Sequence, residues 1–221
     1  MTLSGYVVVV TGASKGIGKE VALRAATEGA NIVINYLSDV KAANALVMHV
    51  GPERALAVQV DISSVEGANT LIDAAVSRFG KVDILIPNAA FVPDRNLQDV
   101  CEADFDRAFA VNVKGPCFLT QVSYHQAPCL PKAAMNQMVK VLARDLAGAG
   151  IRVNAISPGA TSTDSFQKAV DEKKARLLAN QNPFNRIGRA DEIAAAVSLL
   201  WRKDSGWITG QVLRVNGGSI V

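Results

Sequence analysis

The chain has 221 residues, 49% of them apolar and 19% charged, and its 23 basic and 20 acidic side chains leave a formal charge of +3. That length permits one large domain, and the composition excludes a disordered chain, which needs low hydrophobicity and high net charge. Lys and Arg are scattered with no basic run of five or more, so the clustered positive face of a nucleic-acid groove is not expected. The longest purely apolar runs, such as Val7–Val10 and Ile193–Val197, fall far short of the roughly 20 residues that cross a bilayer. The first Lys stands at position 15, so no secretory leader with a basic start is expected. Cys101, Cys117 and Cys129 are too few and too irregular for a disulfide framework or a zinc site. His49 and His125 stand alone, without His, Asp or Cys at ligand spacing. These features predict a reduced, soluble, cytoplasmic protein without a metal.

In chain order, short β-branched runs alternate with longer helical patterns, as in a parallel sheet wrapped by helices. Strands are predicted at Tyr6–Val10, Asn31–Asn35, Ala55–Val60, Val82–Ile86, Arg152–Ile156 and Gln211–Val215, nearly all apolar, as strands covered on both faces must be. Helices are predicted at Gly16–Glu28, Val40–Val50, Val65–Phe79, Glu102–Thr120, Lys132–Ala147, Ser165–Ala179 and Asp191–Trp201. Gly29, Gly51 and Gly80 supply left-handed helix ends, and Gly115-Pro116 predicts a break inside the fourth helix. With no linker, repeat or low-complexity tract, residues 1–221 read as one α/β domain built on a single doubly wound parallel sheet, with helices on both faces.

The rhythm fails once. Gln121 to Pro131 reads Gln-Val-Ser-Tyr-His-Gln-Ala-Pro-Cys-Leu-Pro and holds no strand, so two helices follow each other directly. A parallel sheet lacking an inner strand leaves unpaired backbone donors and acceptors on its neighbours. The pattern lacks a strand here.

Thr11-Gly12-Ala13-Ser14-Lys15-Gly16-Ile17-Gly18 follows the first strand and opens the first helix. Its glycines let backbone approach a phosphate, and the helix behind them offers free N–H groups and a positive dipole end. It is not a Walker A loop, because Ile17 stands where the second Gly belongs and Glu20 follows Lys19 where Ser or Thr binds magnesium. Nor does it have the GxGxxG spacing of larger dehydrogenases; a tight strand–helix turn is the plainer reading. NAD sites end their second strand on an acid that binds the ribose hydroxyls. Here that end reads Ile34-Asn35-Tyr36-Leu37-Ser38, with no carboxylate before Asp39. A carboxylate repels a 2′-phosphate, whereas Lys15, Asn35, Tyr36 and Ser38 suit one, so NADP(H) is expected over NAD(H).

Thr11–Gly18, Asn88-Ala89-Ala90, Asn112, Lys132-Ala133-Ala134, Arg152–Gly159 and Ile208–Gly218, in this order, resemble the short-chain dehydrogenase/reductase family over nearly the whole chain. The resemblance implies a Rossmann-like fold and an NADP(H)-dependent oxidoreductase acting between a ketone and a secondary alcohol. It implies that Gly12, Ser14, Lys15, Gly16, Ile17 and Gly18 hold the pyrophosphate and that Asp61 and Ile62 contact the adenine. It further implies that Asn88, Ala89 and Ala90 line the cofactor, and that Pro158, Gly159, Thr161 and Thr163 surround the nicotinamide. Pro87 and Ala90 depart from the outer residues of the family's Asn-Asn-Ala-Gly turn. Family members are usually homotetramers whose interface helices match 102–120 and 132–147, so a homo-oligomer, dimer or tetramer, is implied.

Carbonyl reduction needs a hydride for carbon and a proton for the developing alkoxide. In the family a Tyr supplies the proton, a Lys four residues later lowers its pKa and holds the ribose, a Ser orients the carbonyl, and an Asn fixes a relay water. Asn112 matches the Asn, Lys132 the Lys, and Ser123 is a candidate for the Ser. Four residues before Lys132 stands Pro128, which has no proton to give; the nearest phenol, Tyr124, is eight residues away. Against the family spacing, roughly 20–25 residues are absent between Asn112 and Lys132. Either the molecule carries residues that this sequence omits, or the chain lacks them and is a catalytically inactive NADP(H)-binding protein acting by interaction or regulation. Cys129 has no adjacent base, Trp201 and Trp207 read as packing, and Ser165–Ala190 reads as a substrate lid or an ordinary amphipathic surface.

Overall fold

In the computed structural model, residues 3–93, 97–123 and 135–219 are described. Four consecutive valines form β1 (Val7–Val10), each at most 1% exposed. It pairs in parallel with β2 (Asn31–Tyr36) on one side and β4 (Ile84–Ile86) on the other, Val8 standing opposite Ile32 and Ile84. β3 (Ala55–Gln59) adds outside β2, giving the parallel order β3-β2-β1-β4.

The two-residue period of these strands sends alternate side chains to opposite layers. Val8, Val10, Ile32 and Ile34 pack with Val21, Ala22 and Ala25 of α1 (Gly16–Thr27), Leu46 of α2 (Val40–Val50) and Ala194 of α9 (Ala190–Leu200). Val7, Val9 and Val33 face the other way, onto Leu71, Ile72 and Ala75 of α3 (Val65–Phe79) and Leu119 of α5 (Gly115–Ser123). Helices therefore cover both faces of a central parallel sheet, as the patterning predicts.

A second parallel ladder joins β5 (Ala155–Pro158) to β8 (Val212–Val215), and a two-residue bridge joins β6 (Thr161–Ser162) to β7 (Gly188–Arg189). Among the described residues no ladder connects β4 with β5. These two strands are partly exposed, in contrast to β1. β5 also starts three residues later than predicted. Val153 donates its N–H to Thr209 Oγ1 at 3.1 Å, and Asn154 holds Ile208 O and Gln211 N, at 2.9 and 3.1 Å. Arg152 closes the C-terminal end of α9 by donating to Leu200 O (2.7 Å) and Ser205 O (3.0 Å).

Two predicted helices are divided. α4 (Glu102–Phe109) passes through a wide turn, Ala110–Lys114, before α5, so the break precedes Gly115-Pro116. Pro116 falls in the first turn of α5, where its missing N–H costs least. The segment expected as one helix from 165 splits into α7 (Asp164–Ala169) and α8 (Glu172–Ala179), because Asp171 turns from chain to cap and accepts Lys174 N–H at 2.7 Å. α6 (Met135–Leu146) packs Met138, Leu142 and Leu146 on Cys117. Cys117 is disulfide-bonded, against the expectation of reduced thiols; counting cysteines does not reveal which ones a fold brings together.

At the start of α9, Glu192 accepts two hydrogen bonds from Arg186 (2.7 and 2.8 Å) and one from Arg189 N–H (2.8 Å). The Arg186 contact above all lowers its pKa to about 2. A depressed carboxylate stabilises fully above its unfolded value and loses that contribution as pH falls through its folded value. The difference in denaturation midpoint between wild type and Glu192→Gln is therefore expected at neutral pH and should close between about pH 4.5 and about 2. Urea titrations at stepped pH measure it.

Candidate active site

The carboxyl ends of β1, β2, β3 and β4 open on one edge, where open α/β sheets bind ligands. Thr11, fully buried, uses its Oγ1 to accept N–H groups from both Asn88 and Ala89 at 2.9 Å. Asn88 returns the contact, donating Nδ2 to Thr11 O (2.9 Å) and Gly12 O (3.3 Å). The turn after β1 and the turn after β4 are thus locked together. Gly12 (φ +60°) fits this approach because a Cβ there would lie 2.9 Å from Ala89 Cα. Gly18 is equally required, since a Cβ would come within 2.6 Å of Gly12 O.

Asn35 and Tyr36 were expected to face a phosphate, and the structure assigns both other work. Asn35 is 2% exposed, accepts Gly12 N–H through Oδ1 at 3.3 Å and donates Nδ2 to Val60 O at 2.9 Å. It pins the glycine turn to the end of β3. Tyr36, 7% exposed, belongs to the apolar core. Because β2 is covered on both faces, both side chains are buried, leaving Ser38 and Lys15 exposed beside the turn. Asp39, the first carboxylate after β2, caps α2 by accepting Ala42 N–H at 3.0 Å.

The α1 N-terminus differs from those of α2, α3, α7 and α8. Ser64, Thr163 and Asp171 cap α3, α7 and α8 with side-chain oxygens, as Asp39 caps α2. Lys15, the residue at that position before α1, has no acceptor, and the first turn contains no acid. The first N–H groups of α1 therefore lack a side-chain partner, and Ser14 and Lys15 make no side-chain hydrogen bond or ion pair with the described residues. This donor set fits a pyrophosphate: backbone N–H groups, one hydroxyl and one cation around an uncapped helix end. Thr163 lies against it, since a Cβ on Gly16 would stand 3.4 Å from Thr163 Cγ2.

At the end of β3, Asp61 accepts Ser63 N–H through Oδ1 and Arg107 through Oδ2, both at 3.0 Å. Partial burial raises the Asp61 pKa, but the hydrogen bonds from Ser63 and Arg107 outweigh it and hold the carboxyl below its usual value. Ile62 is buried in the core. Ala89 is half-buried and Ala90 exposed beside the same edge. Beyond β5, Gly159 N–H reaches Val215 O at 3.0 Å, and Thr161 spends its hydroxyl on Gly159 O at 2.8 Å. Pro158 ends β5, exposed.

Asn112 sits in the wide turn between α4 and α5. Its amide clasps the Phe91 backbone, donating to Phe91 O and accepting Phe91 N–H, both at 2.8 Å. Its own carbonyl has no helical N–H four residues on, because that residue is Pro116. Ser123 donates to Leu119 O at 2.6 Å within α5, a helical back-bond that accounts for its position without a substrate. Lys132, Tyr124 and Pro128 lie outside the described residues. Of the described phenols, Tyr36 is core and Tyr6 precedes β1 at the opposite edge, under Lys81 Nζ at 5.5 Å. Sequence reasoning missed Phe91 and Arg107, whose partners are distant in the chain and leave no local pattern.

Fold and turn together define a Rossmann-like α/β protein. The family model described as short chain dehydrogenase matches residues 6–127, and that of Enoyl-(Acyl carrier protein) reductase matches 120–219. The chain belongs to the short-chain dehydrogenase family. An uncharacterised oxidoreductase of Methylorubrum extorquens is 37% identical over 98% of both chains. A probable tetrahydroxynaphthalene reductase of Zymoseptoria tritici is 31% identical over 98% of this chain and 95% of its own. Among solved structures, a short chain dehydrogenase from Burkholderia cenocepacia in complex with NADP is 29% identical, with TM-score 0.90 over 99% of each chain. A metagenomic blue fluorescent protein in complex with NADPH matches with the same values. The Methylorubrum alignment spans 244 positions against 221 residues here, so at least 23 of its positions face a gap in this chain (244 less 221). The two family models meet at 120–127.

Proposed function

We propose that this protein binds NADP(H) at the carboxyl edge of the sheet and is an oxidoreductase acting between a carbonyl and a secondary alcohol. The observation that carries the reading is the uncapped start of α1, presented by the Thr11–Asn88 and Gly12–Asn35 contacts. Bound there, the nicotinamide supplies or accepts the hydride. Ser14 and the N–H groups of Gly16, Ile17 and Gly18 hold the pyrophosphate. Lys15 and Ser38 take the 2′-phosphate, with Asp39 withheld as a helix cap. Pro158, Gly159 and Thr163 enclose the nicotinamide end, and the Asn112 carbonyl holds a water for proton supply. Lys132 orients the ribose and lowers the pKa of a Tyr, which the sequence places nowhere four residues before it. Turnover thus belongs to a molecule that carries the residues its relatives have at the gap.

A homo-oligomer through α4 and α5 accords with the stacked Phe105 and Phe109 rings, 4.7 Å apart and more than half exposed. Among the described residues, no helix is long and apolar enough to cross a membrane.

NADPH binding by fluorescence, followed by NADPH oxidation with a panel of ketones and quinones, tests the proposal. Binding with turnover supports it; binding without turnover leaves the cofactor site and removes the reaction. Ser38→Asp is expected to weaken NADPH by about tenfold or more and to spare NADH, because the new charge faces only the 2′-phosphate. Equal losses for both cofactors would place Ser38 elsewhere.

A further inference from the structure

Arg107 makes two contacts that no adjacent sequence feature foretells. From α4 it reaches back 46 positions along the chain, placing Nη1 3.0 Å from Asp61 Oδ2 and 3.1 Å from Ser63 Oγ. Ser63 in turn donates its N–H to Asp61 Oδ1, so both carboxylate oxygens are held and one plane of the carboxylate is defined. Asp61 follows β3 at the ligand-binding edge, and its side chain remains 41% exposed. An ionised, fixed, accessible carboxylate is a pure acceptor. Beside a dinucleotide site it suits an exocyclic amino group such as that of adenine.

We propose that Arg107 is a positioning residue for the adenine end of the cofactor, acting through Asp61 and Ser63 rather than by touching the nucleotide. The inference rests on the NADP(H)-binding reading above. By clamping the loop after β3 to α4, Arg107 also joins the adenine pocket to the helix whose continuation carries Asn112. The nicotinamide end shares none of these contacts, which makes the role separable.

The test titrates three probes into wild type, Arg107→Met and Arg107→Lys: NADPH, 2′,5′-ADP for the adenine half, and reduced nicotinamide mononucleotide for the other half. Arg107→Met should weaken NADPH and 2′,5′-ADP alike, by about tenfold, as expected for loss of a charge-assisted contact, and leave the mononucleotide unchanged. Arg107→Lys keeps the charge with a single donor group and should fall between. Unchanged 2′,5′-ADP affinity in either folded variant overturns the proposal, as does an equal loss for both halves, which marks a merely structural residue. Should Arg107→Met not fold, Arg107→Lys alone decides by the same comparison. If wild type binds neither NADPH nor 2′,5′-ADP, the cofactor reading itself fails.

Discussion

The protein isolated from its native cells is expected to weigh about 2–3 kDa more than the 23.3 kDa of this sequence, at about 110 Da for each of roughly 20–25 further residues. Two comparisons give that figure, and the order of the described strands accords with it. The spacing between Asn112 and Lys132 is short by that amount against the family pattern. The Methylorubrum alignment leaves at least 23 of its 244 positions unmatched by a 221-residue chain. The parallel order β3-β2-β1-β4 ends at β4, while β5 pairs with β8, and no described strand joins them. An inner strand contributes ladder hydrogen bonds and apolar burial on both faces. Losing it competes with the whole of a typical domain stability, about 5–15 kcal/mol.

Intact-mass spectrometry reads the result directly, and turnover follows from it. A heavier molecule supplies the strand and a phenol four residues before Lys132, and should oxidise NADPH with a ketone. The 221-residue chain, expressed as written, is expected to bind NADPH and to turn over about 100- to 10,000-fold more slowly, the range for loss of a general acid. A native mass of 23.3 kDa would reverse the assignment and leave a cofactor-binding protein without a proton donor.

Thr11→Val is expected to destabilise the fold by about 2–4 kcal/mol, although it preserves side-chain volume and shape. Thr11 is fully buried, and its hydroxyl oxygen is the acceptor for two N–H groups, those of Asn88 and Ala89. Valine leaves both donors beside a methyl group, and each orphaned buried donor costs about 1–3 kcal/mol. The turn after β4 then loses its register against the glycine turn, so NADPH affinity should fall with stability. Thermal or urea unfolding gives the first quantity and NADPH titration the second. Thr11→Ser keeps the oxygen and should restore most of both. Wild-type stability in Thr11→Val would mean that these two N–H groups find water instead.

The sequence by itself determined the layered α/β architecture, because apolar runs of period two and apolar stripes of period 3.6 are local properties. Tyr6–Val10 and Asn31–Asn35 were legible as buried strands for that reason, as were the glycine turn and the absence of an early carboxylate after β2. The break in rhythm between Gln121 and Pro131 was legible too, and most of that segment lies outside the described residues. What only tertiary structure decided was the use of polar groups whose partners lie far along the chain. Asn35 is the last residue of a predicted strand and looks available to a phosphate. Alternation and the closeness of Val60 and Gly12 turn it inward. Arg107 reads as one more surface charge on a helix until folding sets it on Asp61, and Asn112 reads as a relay amide until Phe91 claims that amide from both sides. Hydrogen bonds across 21 to 77 positions leave no periodic trace, since their geometry exists only after the strands have paired and the helices have docked.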